Sequence, residues 1–165
     1  MPTACKNRKK VLNDGVRVRG FYRIKIGEDK NGKTKIVGDS GWVENTVVND
    51  GFDQYICRTL GGIAGSKTVA YVNLGTGTAP NVTHTALDGE IGTRKTTSNS
   101  VVASKTMQAT CAFGSTDHPG GTPVLRNIGL FNTDSAGTLL CGNTYGTSSW
   151  NSNQAVSLTY QIRFS

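Results

Sequence analysis

Residues 155–164 read Ala155-Val156-Ser157-Leu158-Thr159-Tyr160-Gln161-Ile162-Arg163-Phe164. Val156, Leu158, Tyr160, Ile162 and Phe164 alternate with Ser157, Thr159, Gln161 and Arg163. Successive side chains of a strand point to opposite faces, so this period of two predicts a strand with one buried and one wet face. A strand of this kind needs partners on a sheet, so the fold is expected to close on this segment.

The same period recurs at the other end of the chain. In residues 15–26, Val16, Val18, Tyr22, Ile24 and Ile26 alternate with Arg17, Arg19, Arg23 and Lys25, and Phe21 is the exception. This is a strand with one apolar and one cationic face, in which Gly20 reads as a bulge. Asn31-Gly32 supplies a turn, and residues 33–38 return as a second strand. Residues 15–40 are therefore read as a basic β-hairpin, residues 1–14 as an extended basic arm, and residues 41–165 as the remaining domain.

Within that domain, residues 69–74, 101–113, 124–131 and 138–141 read as further strands. Met107, Ala109, Cys111 and Phe113 alternate within the second of these. Residues 47–60 carry the one helix signal: Asn49 or Asp50 as N-cap, Phe52, Ile56 and Leu60 as an apolar stripe, and Gly61-Gly62 as a stop. Residues 114–123 and 143–154 read as polar loops. The chain has 165 residues, 36% of them hydrophobic, with 21 glycines. Many turns and few helices predict an all-β fold, an antiparallel β-sandwich of jelly-roll-like kind with one short helix.

The net charge of +7 is unevenly spread. Residues 1–36 hold eleven Lys/Arg against three acids, so that quarter is +8 and the remainder −1. Such asymmetry points to an acidic partner. Lys6, Arg8, Lys9 and Lys10 on the arm and Arg17, Arg19, Arg23 and Lys25 on the strand are the candidate contacts. Three readings of them stand side by side. Arginines pair with carboxylates of a neighbouring subunit; cations neutralise phosphates while Phe21 and Tyr22 stack on bases; or the face is merely solvated.

Catalytic chemistry finds little to stand on. His84 and His118 lie in polar segments without metal-ligand spacing. Gly75-Thr76-Gly77-Thr78 lacks the Lys-Ser/Thr ending of a phosphate loop and reads as a tight turn. Asp88 and Glu90 have no third group beside them, and a calcium loop needs more oxygens. Cys5, Cys57, Cys111 and Cys141 are too far apart for a zinc knuckle or a redox pair. No enzyme activity, cofactor or metal is expected. The N-terminal residues have no signal-peptide pattern, no run is long enough for a membrane helix, and no membrane contact is expected. Trp42, Tyr145 and Trp150 occur in Gly/Ser/Asn-rich surroundings and are candidates for a subunit contact or a glycan platform.

Four ordered pieces carry a resemblance. They are Asn45–Leu60; Val72–Pro80 (VNLGTGTAP) with Thr83–Glu90 (THTALDGE); Asn127–Phe131 (NIGLF) with Gly137-Thr138-Leu139-Leu140; and the alternating strand ending near Phe164. In this order, residues 45–165 resemble a group of small structural proteins of tailed phages and prophages, found in virions as head-decoration or tail-associated components. The resemblance implies synthesis in a host cytoplasm, reduced cysteines, and a place on the virion, at the capsid surface. It implies a capsid decoration (cement) protein bridging neighbouring major capsid subunits as a homo-oligomer, a trimer or dimer, with the basic arm reaching over acidic capsid exteriors. The alternatives are a tail or fibre adaptor or baseplate protein, with loops 114–123 and 143–154 facing outward, and a glycan-binding host-recognition module. Nucleic acid is the lesser candidate partner.

Overall fold

The computed structural model describes residues 15–30 and 33–165. The expected arm, with Lys6, Arg8, Lys9 and Lys10, lies outside the described residues.

The apolar positions of Val156–Ile162 and of Tyr22–Ile26 do what their alternation predicts. β1 (Val18–Lys30) and β10, the C-terminal strand Gln154–Phe164, pair antiparallel from Val18↔Phe164 to Glu28↔Gln154. In this register Tyr22 faces Tyr160, Ile24 faces Leu158 and Ile26 faces Val156, and all six side chains are buried. Burying a side chain of this size contributes roughly 1.5–3 kcal/mol, so this one strand pair anchors the core.

The remaining strands are β2 (Lys33–Asp39), β3 (Val43–Val47), β4 (Tyr71–Gly75), β5 (Lys95–Thr96), β6 (Ser98–Ala103), β7 (Thr106–Phe113), β8 (Val124–Phe131) and β9 (Leu139–Ser149). All pairings are antiparallel, in the order β5-β4-β8-β9-β3-β1-β10-β7-β6, with β2 on β1. The two ends of that order, β5 and β6, are consecutive in sequence. Lys95–Ala103 therefore touches both edges and draws the sheet into a nearly closed, barrel-like wall. Thr97 N–H donates to Ala70 O at 2.8 Å and Asn99 Nδ2 to Val69 O at 2.7 Å, which holds this corner to the chain leading into β4. The fold is thus antiparallel all-β with one short helix, and its wall is one nearly closed sheet. β1 and β2 form the expected hairpin, but β1 is also bonded to β10 and β3. Residues 15–40 are part of the wall and not a unit apart from 41–165.

Several local expectations are corrected. The helix, α1, winds as a π-helix over Gly51–Cys57 and as one α-helical turn over Arg58–Leu60. Arg58 N–H donates to Asp53 O, five residues back. The wider turn moves the buried face from Phe52, Ile56 and Leu60 to Gly51 and Tyr55, leaving Phe52 and Leu60 exposed. A Cβ at Gly51 would run into the Leu140 backbone, so only glycine lets the helix sit this close to β9. No side chain caps its start, and Gly62, at φ +59, takes the left-handed turn at its end.

Gly20 is not a bulge. A Cβ there would meet the Asn45 carboxamide, which packs on Gly20 and donates to Tyr160 Oη at 2.5 Å. The bulge falls between Ile26 and Gly27, opposite β2. Residues 98–113 are a hairpin, not one strand, turning at Lys105 with φ 63. Most of the expected loop 143–154 belongs to β9.

Candidate binding face

β1 lies between β10 and β3, and its outward residues meet theirs in a row. Arg19 and Glu44 share two hydrogen bonds, Nε to Oε1 at 2.7 Å and Nη2 to Oε2 at 2.8 Å. Arg23 grips Asp39 in the same way, at 2.9 and 2.6 Å. The Arg19 hydrogen bonds, and then its charge, hold Glu44 below the usual carboxylate range. Asp39 lies further below its own, held first by Arg23 and then by the Gly41 N–H.

Phe21 explains its break in the alternation: it faces outward beneath two guanidiniums. Arg163 lies 4.3 Å from its ring centroid and Arg19 5.1 Å. Arg163 also lies 5.6 Å from the Trp42 ring, and Trp42 is 44% exposed. Arg163 donates to Gln161 Oε1 at 3.0 and 2.6 Å, and Gln161 Nε2 donates to Gln108 Oε1 at 2.9 Å. A continuous row of aromatic, guanidinium and amide groups thus crosses β3, β1, β10 and β7.

The expected cationic face is therefore divided. Arg19 and Arg23 are spent on Glu44 and Asp39, acids from the part of the chain whose charge sums to −1. Arg17 is exposed, its backbone bonded to Ser165. Lys25 is half-buried opposite Asp39 in the β1–β2 register. Arg163, Gln161 and Gln108 were missed as site residues; Phe21, weighed only as a base-stacking aromatic and the one apolar side chain out of phase, was the available signal.

Trp42, Tyr145 and Trp150 do not form one platform. Trp150 is 1% exposed, its Nε1 donates to Gln154 O at 2.9 Å, and it packs on Phe113 and His118. A surface role for Trp150 is thereby corrected: the tight turn Trp150–Gln154 carries it into the core. Tyr145 points inward against Tyr22, with ring centroids 6.1 Å apart, and burial pushes its phenol up. Only Trp42 is outward.

The residues weighed for catalysis are engaged locally. Asp88 Oδ2 accepts from Thr78 N–H at 2.8 Å and Thr78 Oγ1 at 3.0 Å, and these bonds hold it below its usual range. Asn127 Nδ2 donates to Thr78 O and to Asp88 O, both at 2.8 Å, which pins the Gly-Thr-Gly turn to the 83–90 segment. Glu90 turns away to Arg94 and Asn73. His118 Nδ1 accepts from Gly120 N–H, so Nε2 carries the proton and donates to Trp150 O at 2.9 Å. Cys57, Cys111 and Cys141 are free thiols, and burial pushes Cys141 up to about 12. Among the described residues no group of three or more His, Cys, Asp or Glu is placed to hold a metal, and no helix is long and apolar enough to cross a membrane.

One apolar cavity of about 330 Å³ opens at the end of the barrel beneath α1, among Val18, Val47, Tyr55, Ile56, Val69 and Met107. Val16 and Leu60, close in sequence to the lining residues Val18 and Thr59, and Val101, paired with the lining residue Met107, are 77%, 84% and 81% exposed.

No protein-family model, no curated protein and no solved structure matches the chain.

Proposed function

We propose that the chain is a phage capsid decoration (cement) protein, which stabilises the head by bridging neighbouring major capsid subunits. The observation that carries the reading is the outward row through Trp42, Arg163 and Phe21. Trp and Arg are the side chains that dominate the energetics of protein interfaces. Here they stand stacked and held in place, so little side-chain freedom is lost on docking. The Gly-Thr-Gly turn and the Asp88 segment, by contrast, are tied to each other and build the scaffold.

The sandwich-like, jelly-roll-like character of the domain is part of this proposal. β4, β8 and β9 on one side and β1, β10 and β7 on the other share one core, as two packed sheets would. The basic segment 1–14 supplies an arm that orders on the capsid, and the apolar barrel end supplies the contact of a trimer or dimer. The mechanism is mechanical: added interface raises the barrier to rupture of the shell under internal DNA pressure.

The test is attachment to heads that lack the protein, read by co-sedimentation. Deleting residues 1–14 weakens attachment while the circular dichroism of the domain is unchanged, and Trp42→Ala weakens it further. Full occupancy by both variants contradicts the proposal.

A further inference from the structure

The barrel wall is split on one side. β9 leaves β3 after the pairs Val47↔Cys141 and Thr46↔Gly142, and β9 from Asn143 to Ser149 stays with β8. β3 and β2 follow β1 instead. Between the diverging strands lies a cavity of about 430 Å³, lined by Gly38–Ser40 on one side, residues 145–148 on the other, and Ile24 and Ile26. Among the described residues β2 pairs only with β1, and the second half of β9 only with β8. At the head of the gap Thr144 is engaged, its C=O by Tyr22 Oη and its N–H by Asn143 Oδ1; beyond it, β2 and residues 145–149 of β9 each turn one strand edge towards the gap. Unpaired strand edges are templates for another strand.

We propose that this gap accepts an extended segment of a partner protein as an added strand, apolar at its deep end and acidic towards the β1–β2 tip. The chemistry changes along the edge. Ile24 and Ile26, buried in the core, form the apolar floor of the gap, and Ile36 and Val37, next along β2 towards the tip, are 52% and 46% exposed. Towards the tip, Lys33 and Lys35 are exposed and form no ion pair among the described residues. The nearby acids are engaged: Asp29 accepts from Thr34 Oγ1 at 2.5 Å and Glu28 from Asn153 Nδ2 at 2.9 Å. Charge selects a foreign segment over the alternatives from this chain. A second copy would bring its own lysines to the same edge, and residues 1–14 carry four Lys/Arg against one acid. The inference does not depend on the capsid reading.

The probe is an end-blocked peptide, Val-Thr-Val-Thr-Val-Glu-Glu-Glu, added to the full chain. Amide hydrogen exchange is followed at residues 36–40 and 145–149. Amides facing the gap exchange quickly in the free protein and slow at least tenfold with the peptide. Replacing the three glutamates of the peptide by lysine weakens binding at least tenfold, as does N-methylation of alternate peptide amides, which removes the ladder donors but keeps the side chains. Lys33→Glu with Lys35→Glu in the protein gives a comparable loss. Three results overturn the proposal: no binding at millimolar peptide; equal binding of the lysine or N-methylated peptide; or edge amides already protected in the free chain, which would mean that this chain or a second copy fills the gap.

Discussion

Trp42 and Trp150 stand in similar sequence surroundings and reach opposite ends. Each is preceded by Gly or Ser, and neither lies in an apolar run. Trp42 leads into β3 on the outside of the wall, beside Arg163, and is 44% exposed. Trp150 closes β9 and is 1% exposed, enclosed by Phe113, the His118 ring and the turn to Gln154. The difference lies in what covers them. The loop 114–123, which reads as an outward loop, folds its His118 over Trp150. Nothing comparable covers Trp42 among the described residues, where Arg163 lies 5.6 Å from its ring. A large aromatic in a polar segment thus takes its role from strand register and from distant loops, not from its immediate neighbours.

The sharpest way to break this comparison is to truncate both. Trp150→Ala empties a closed core site and is expected to cost about 3–5 kcal/mol, read as a fall in the denaturation midpoint. Trp42→Ala is expected to stay within about 1 kcal/mol of the parent, since it loses only an exposed stack on Arg163. Equal losses would mean that the two environments are not as described.

The core side of the comparison also titrates. Burial raises the phenols of Tyr22, Tyr55, Tyr145 and Tyr160. In the unfolded chain a tyrosine ionises near ~10 and a cysteine near ~8.5. A group whose native value is raised stabilises the fold below its unfolded value and loses that contribution as pH climbs towards the native one. Thermal melts should therefore begin to fall just above pH ~8.5, where an unfolded Cys141 would ionise, and fall more steeply above ~10. Cys141→Ala should shrink the first part of that decline, leaving the share of Cys111, whose thiol burial also raises, and leave the second. At the acid end the sign reverses. Glu44, Asp39, Asp88 and Asp117 are held low, first of all by hydrogen bonds, so their contribution is present above ~4 and lost below it.

The smallest expected effect belongs to the outer face. Asp39→Asn with Glu44→Gln releases Arg23 and Arg19 from their partners at exposed positions, where ion pairs contribute little to stability. The melting temperature should barely move. Elution from a heparin column should shift to higher salt, because two guanidiniums become free for an anionic partner. No shift would mean that these arginines already face solvent unpaired.

Much of the wall was legible in the sequence, since β1 and β10 advertise themselves by alternation and are paired along their whole apolar faces. Other parts were not, for physical reasons. β9 runs on through Asn143-Thr144-Tyr145-Gly146-Thr147-Ser148-Ser149, a polar stretch that pairs with β8 but buries little. The helix was legible as a helix, but its π-helical winding, which goes with burial of Tyr55 over Phe52, was not, nor was the close approach of Gly51 to Leu140. For the candidate face, the arginine-rich strand was evident. Its partial neutralisation was not, because Asp39 and Glu44 reach Arg23 and Arg19 only after β2 and β3 have folded alongside β1.

A density map of a phage particle that carries the chain tests the proposed decoration role most directly. The account predicts copies of this barrel on the outside of the head, at junctions between major capsid subunits and in numbers on the order of hundreds, with the Trp42 face against the shell. A head surface without it, or about a dozen copies or fewer confined to the tail, would contradict the account.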